Sequence, residues 1–380
     1  EIPLRLVGSE MCIRDSASID PAANRLASGS AVSLKAGTKL AVQAASAWWG
    51  EAEISPLGDG HIHQTFLVQV AKTGERFVLQ SVNQTVFADV QQMVQQIPLL
   101  LRHLAADRDY ANAFVVADAL PTRLGRILHS VGDETWRAWR YIERSRVVDP
   151  FTNSQQVESA AHAFGSFQRS LTGFQPHSWR PPIPGFLELT GYIESYRRCA
   201  QASSTDAVPA DLAAVIEANL DLDTALGPSR RFIHGDCKIN NVLFRDDKDQ
   251  VKAVIDLDTV GLGHWAWDFG DLVRSVAFSH GAAELELFEA CVVGFSRGRG
   301  RFAQPARMTA EQMSIAPAYI AFTLGLRFVI DHLCGDEYFR VSTRGENLRR
   351  AAEQFAVLEQ FNGLRVRLFE AALSILTEHT

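Results

Sequence analysis

Cysteine is scarce in this chain: five among 380 residues, Cys12, Cys199, Cys237, Cys291 and Cys334, an odd number with no C-x-x-C pair. That argues against a disulfide framework and against a zinc site built on paired thiolates, and it fits a reducing cytoplasm. Basic residues are outnumbered, 37 Lys plus Arg against 44 Asp plus Glu for a formal charge of −7, and no Lys/Arg-rich run offsets this locally. A dedicated nucleic-acid binder does not look like this. No uninterrupted apolar stretch approaches the roughly 20 residues of a membrane span. The most apolar part, residues 316–330, is broken by Tyr319, Thr323 and Arg327, so a soluble chain without a membrane partner is expected. Repeats and low-complexity tracts are missing too, and 47% hydrophobic with 21% charged residues is globular composition, which excludes collagen, coiled coil and disorder. The length suits two domains or one large domain in two lobes.

What is present has a clear order. Residues 1–16 make a poor signal peptide, and Val7 to Ser16 (VGSEMCIRDS) resembles a translated sequencing adapter, so these residues are read as artefactual or disordered and set aside. Small and polar residues follow to Gly37, then an amphipathic helical stretch to Ala47, and the compact fold is expected to begin near Trp48. Ile54 to Gly60 holds two glycines in a turn, followed by strands at 65–70 and 76–82: an antiparallel unit. Met93, Ile97, Leu100, Leu101 and Leu104 recur at helical spacing over 89–104, and short apolar runs at 114–116, 127–128 and 136–139 suggest three more strands. After Asp149-Pro150 helical periodicity dominates, over 154–172, 187–201, 210–221, 266–296, 311–332 and 344–376. One strand pair, 241–244 and 251–255, interrupts it. The chain is therefore α+β, strand-rich in its first third and helical afterwards.

That strand pair is flanked by the residues with chemistry. Phe232-Ile-His-Gly-Asp-Cys-Lys-Ile-Asn-Asn-Val-Leu-Phe244 precedes it and runs into it, and Ala253-Val-Ile-Asp-Leu-Asp258 closes it. A short hairpin brings the residues before its first strand beside those ending its second, so Asp236, Asn241 and Asp256 converge. Phosphoryl transfer needs a carboxylate to orient and deprotonate the attacking hydroxyl, a carboxylate and an amide for the metal, and a cation for developing charge. Asp236 fits the first role, Asp256 with Asn241 the second, and Lys238 the third. The D-x-x-x-x-N spacing from Asp236 to Asn241 is the kinase pattern. His234 reads as an organiser of the loop, and Asp268 and Asp271 as caps or braces, with Arg274 able to pair with either. Trp265 and Trp267 follow Asp256 closely in the chain.

These motifs resemble the aminoglycoside phosphotransferase and choline kinase group, and within it the N-acetylhexosamine 1-kinase branch. The narrower likeness rests on Gly58-Asp-Gly-His-Ile-His-Gln-Thr-Phe66, Val78-Leu-Gln-Ser-Val-Asn-Gln-Thr-Val-Phe87, Trp267-Asp-Phe-Gly-Asp-Leu-Val-Arg274, Leu324-Gly-Leu-Arg-Phe328 and Gly335-Asp-Glu-Tyr-Phe339. The resemblance implies a protein-kinase-like, two-lobed fold: an extension over 1–47, a small antiparallel nucleotide-binding lobe over 48–143, and a larger, mainly helical catalytic and substrate-binding lobe over 144–380. It implies ATP and Mg2+, and a small-molecule sugar as partner, in a monomer or homodimer. Gly58, Gly60 and His61 would then lie at the ATP phosphates, with Gln80 beside them. Tyr141 and Ile142 would form the adenine hinge, unless they simply end a strand. Arg327, Asp258 and Trp265 would hold the sugar. Arg327 with Asp331, four residues on, reads equally as a buried structural pair.

One departure from the protein-kinase pattern matters. Val78-Leu-Gln80 has glutamine where a phosphate-binding lysine belongs, and the next helix offers Gln91, Gln92 and Gln95 instead of a glutamate partner. The hexosamine kinase branch resembles this pattern, so it reads as a family trait. The expected activity is ATP- and Mg-dependent phosphorylation of N-acetylhexosamine at the anomeric hydroxyl. The alternatives are an aminoglycoside, choline or amino-alcohol kinase, and a non-catalytic nucleotide-binding module. A hydrolase on the same carboxylates ranks last, for want of a further nucleophile motif.

Overall fold

The structure is a computed structural model that describes residues 28–58, 63–84, 87, 89–148, 150–202, 208–277, 284–339 and 341–378. Residues 1–16 lie outside them. In chain order the elements are α1 (Ser28–Ala45), β1 (Ala52–Pro56), β2 (Gln64–Val70), β3 (Arg76–Val82), α2 (Val90–Ala106), α3 (Arg108–Ala113), β4 (Ala119–Leu120), β5 (His129–Val131), β6 (Glu134–Arg140), β7 (Ser145–Arg146) and α4 (Ser154–Ser170). Then come α5 (Leu189–Ala202), α6 (Ala210–Ala218), α7 (Leu222–Ala225), β8 (Arg231–Ile233), β9 (Val242–Arg245), β10 (Val251–Val254), β11 (Gly261–Gly263), α8 (Trp265–Val276), α9 (Leu285–Arg299), α10 (Ala306–Leu333) and α11 (Glu346–Glu378).

Two compact units emerge, one holding the described residues up to 98 together with 117–143, the other 99–116 and everything from 144 on. The first is an antiparallel sheet in the order β1-β2-β3-β6-β4, with β5 also on β6. Strand alternation decides its faces. Phe66, Val68, Phe77, Leu79, Trp136 and Ala138 point to one side and form an apolar core with Ala41, Ala44 and Ala45 of α1. The unit thus begins before Trp48: the small residues at i, i+3 and i+4 give α1 a face that lies close on the sheet. Residues 114–116 are not a strand. They run on as an extended connection in which Val115 N–H donates to the Lys252 carbonyl at 2.7 Å.

The second unit is helical, and its close crossings depend on glycine. Gly294 and Gly298 of α9 face the carbonyls of Glu158 and His162 on α4, where a Cβ would overlap backbone oxygen. Gly298→Val is expected to destabilise the protein by about 1–3 kcal/mol through overpacking, read as a lower urea midpoint; an unchanged midpoint would show that the crossing can spread. Residues 99–116 dock on α4: His103 bonds the Ser170 carbonyl at 2.8 Å, and the Tyr110 ring lies 6.2 Å from Phe167. The predicted single helical stretch 266–296 is two helices, α8 and α9. By length and composition α10, expected as a helix over 311–332, is apolar enough to cross a membrane, and its apolar window is wholly buried inside the protein. Among the described residues it is the one helix of that kind.

Candidate active site

β9 and β10 form the expected hairpin, and its turn is anchored by Asp249, which accepts from Arg146 (2.8 Å), Gln156 (2.8 Å) and Asn153 (3.0 Å). The two glutamine and asparagine bonds, with Arg146 adding to them, hold the Asp249 carboxyl below its ordinary range. The folded pKa is depressed, so this contribution to stability is present above the unfolded carboxylate pKa and lost as pH falls through the lower, folded one. Asp249→Asn is therefore expected to flatten the acid limb of the unfolding curve, and a limb of unchanged slope would assign acid sensitivity elsewhere.

The hairpin brings the site together. Ile255 N–H donates to the Asn241 carbonyl at 2.9 Å, which sets Asp256 beside Asn241. Asn241 Nδ2 donates to the Asp236 backbone oxygen at 2.9 Å and to its carboxylate at 2.7 Å. The amide nitrogen is thereby used, and the amide oxygen is the end suited to a cation. Lys238 Nζ stands 3.4 Å from the other Asp236 oxygen, and both side chains are buried. The half-buried Asp256 has φ 60 and ψ 60, a left-handed conformation that costs a non-glycine residue about 1 kcal/mol or more and concentrates at functional sites. Asp256 and Asn241 fit Mg2+, which takes hard oxygen donors and needs only one or two from protein, the rest coming from water and phosphate. Among the described residues no cluster of three His, Cys, Asp or Glu could hold a metal alone.

Behind these groups is a brace. Asp268 on α8 accepts from the backbone N–H of His234 (2.9 Å) and Gly235 (2.8 Å) and from Gln168 of α4 (2.7 Å). His234 Nε2 bonds the Ile255 carbonyl at 3.0 Å, while its Nδ1 accepts from Asp236 N–H at 3.3 Å. An acceptor on one nitrogen and a donor on the other make a neutral ring that organises the loop. Gly235, at φ +87, passes so close to the Thr259 carbonyl that a Cβ would meet it at 2.9 Å. Burial first, then Asp268 and Asp271, push the Cys237 thiol up, so it is no nucleophile. Arg274 pairs with Asp271 at 2.7 Å. Burial raises the Asp271 carboxyl, with Arg274 opposing.

The remaining candidates divide. Gly60 and His61 lie outside the described residues. Gly58 is a turn glycine at φ +70. Tyr141 follows β6, carries the Arg76 guanidinium 4.3 Å above its ring and donates its N–H to the Arg76 carbonyl at 3.3 Å; Ile142 is half-buried next to it. Asp258 is buried in the turn just after Asp256. Trp265 is corrected: it is 2% exposed, with Phe295, Phe302 and Arg299 packed about the ring and its N–H given to Gln312 at 3.1 Å, so it offers no face to a sugar. Gln80 is half-buried on β3. Its Oε1 accepts from Arg137 Nε (3.1 Å) and Trp139 Nε1 (2.8 Å), and its Nε2 reaches Thr65 at 3.3 Å, so the amide is engaged within the sheet.

Arg327 and Asp331 have separate duties. Asp331 accepts from the N–H groups of Tyr338 and Phe339 and from Asn347, at 2.8, 3.0 and 2.7 Å. The Arg327 guanidinium sits among the rings of Phe186, Tyr192, Tyr338 and Phe339, 5.5–5.8 Å from their centres, and bonds the Tyr338 hydroxyl at 3.1 Å. Phe186 in turn reaches the catalytic loop, its ring edge 3.4 Å from where a Gly235 Cβ would be. Phe186, Gln168 and Arg137 carry no motif, and no spacing in the sequence marks them.

The chain matches the model of the phosphotransferase enzyme family over residues 53–303. Among solved structures it is similar to a choline kinase from Cryptosporidium parvum (14% identity, TM-score 0.57, 90% of this chain and 99% of the other). It is also similar to a choline/ethanolamine kinase family protein from Mesorhizobium loti (18%, 0.56, 90% and 98%) and to an amicoumacin kinase in complex with AMP-PNP and Ca2+ (14%, 0.55, 90% and 96%). These likenesses show the fold, which is protein-kinase-like: one antiparallel-sheet unit and one mainly helical unit.

Proposed function

The chain belongs to the phosphotransferase enzyme family and is a kinase acting on a hydroxyl acceptor; from that premise we propose that the acceptor is a neutral amino sugar, N-acetylhexosamine, phosphorylated at the anomeric hydroxyl by ATP. Asp236 orients that hydroxyl toward the γ-phosphate and takes its proton, a carboxylate held ready by Asn241 and Lys238. Lys238 offsets charge on the transferred group. Asn241 and Asp256 would hold Mg2+, which when bound neutralises phosphate charge.

The observation that carries the sugar reading is the buried guanidinium of Arg327, one ring away from the catalytic loop. A fixed cation there repels a quaternary ammonium or a polyamine and suits hydroxyl and acetamido oxygens. This favours the sugar over the choline and aminoglycoside readings, although choline kinases are among the structures of similar fold. The test is ADP release with Mg-ATP over GlcNAc, GalNAc, glucosamine, glucose, choline and kanamycin, with phosphorus NMR of the product. An anomeric phosphate is expected; turnover with choline or kanamycin alone would remove the sugar reading. Arg327→Met is expected to raise the acceptor KM about 10- to 100-fold, the worth of one charged hydrogen bond, with the ATP KM unchanged, and an unchanged acceptor KM would place Arg327 outside the acceptor site.

A further inference from the structure

The gap left by the missing strand lysine has a neighbour that fills it. β2, β3 and β6 are consecutive in the sheet, and their register sets Thr65 opposite Gln80 and Gln80 opposite Arg137. The three form one polar row across three strands, tied by Gln80 to Thr65 on one side and to Arg137 on the other. Trp136 and Ala138, the residues flanking Arg137, belong to the apolar core against α1. Alternation therefore turns Arg137 to the other face with Gln80 and Trp139, and its guanidinium lies 5.1 Å from the Trp139 ring. At the Thr65 end of the row, Leu57 N–H, next to Gly58, donates to the Thr65 carbonyl at 2.9 Å.

We propose that Arg137 supplies the positive charge toward the nucleotide phosphates that Gln80 lacks, with Gln80 as the residue that positions it. This rests on the kinase reading of the site. A protein kinase places a lysine on this strand and steadies it with a glutamate from the next helix. Here the cation has moved one strand over, from β3 to β6, and the steadying group has become the Gln80 amide oxygen. An arginine suits the position for two reasons. Arg137 is only 4% exposed, and a guanidinium keeps its charge when buried, where a lysine readily loses it. Gln80 holds the Nε edge, which fixes the plane of the guanidinium.

The experiment measures binding of adenosine, ADP and ATP with Mg2+ to the full chain by titration calorimetry, for wild type, R137Q, R137K and Q80L. R137Q is expected to lose about 10- to 100-fold in affinity for ADP and ATP, the worth of one charged hydrogen bond to phosphate, and nothing for adenosine. R137K should recover part of the loss, and Q80L, which leaves the charge but removes the bond that positions it, should show a smaller loss of the same phosphate-selective kind. Equal losses for adenosine and ATP, or wild-type affinities with only a lower melting temperature, would overturn the proposal and make Arg137 a structural residue. If R137Q does not fold, R137K and Q80L carry the same comparison. Wild-type protein that binds no nucleotide at all would overturn the kinase reading itself, an outcome distinct from a variant that binds like wild type.

Discussion

Replacing Asp236 with Asn should lower turnover on the order of 10^3-fold, the range for loss of a positioned general base, while the protein still folds and still binds ATP. The geometry explains why the loss falls on kcat. One Asp236 oxygen takes the Asn241 amide and the other faces Lys238, so the carboxylate is held in one orientation before any acceptor arrives. An asparagine fills the same volume and keeps an acceptor oxygen for Asn241, but cannot take up a proton. The KM for ATP is expected to move by less than a few-fold. Asp236→Asn turning over at wild-type rate would remove the residue from the proton-accepting role, and loss of ATP binding in that variant would mean the substitution had disturbed the loop instead.

The second large effect belongs to a residue that touches no reacting atom. Asp268→Ala strands the buried backbone N–H groups of His234 and Gly235 and one amide N–H of Gln168, whose Nε2 still reaches the Trp265 carbonyl. At about 1–3 kcal/mol for each unsatisfied buried group, the expected loss is roughly 3–9 kcal/mol, a large share of the 5–15 kcal/mol that typically holds a domain together. Asp268→Asn keeps an acceptor oxygen and should lose about half as much. Thermal unfolding followed by circular dichroism ranks the three proteins, with activity falling in step because the strand-to-loop turn that aims Asp236 goes slack. A variant within about 0.5 kcal/mol of wild type would show that water replaces the carboxylate and that the brace is not structural.

The catalytic hairpin was legible because its chemistry is local. Asp236, Lys238 and Asn241 fall within six residues of one another, and a short hairpin leaves Asp256 nowhere else to go. The helices after 150 were legible through their periodicity, apart from the break between α8 and α9. What escaped was tertiary. Trp265 looked available because it follows Asp256 closely, yet whether an aromatic faces a pocket or the core depends on α4, α9 and α10, none of them near it in sequence. Gln80 looked like a poor substitute for lysine because the register joining it to Arg137 spans 57 residues. The face of α1 was hidden by composition: Ala41, Ala44 and Ala45 are too small to stand out, and smallness is what lets the helix lie close on the sheet.

The placing of residues 99–116 in the helical unit, ahead of part of the sheet, has a consequence in time. Synthesis runs from the amino terminus at roughly 5–20 residues per second, and the sheet unit is complete once Glu143 has left the ribosome. At that moment α3 has no α4 to lie on, and Tyr110 and Phe114, both buried at the end, travel uncovered. The helical unit thus closes around a piece of chain made well before the rest of it. For the same reason no single cut releases it: a fragment starting at residue 144 lacks the aromatic pair that α4 is shaped to receive.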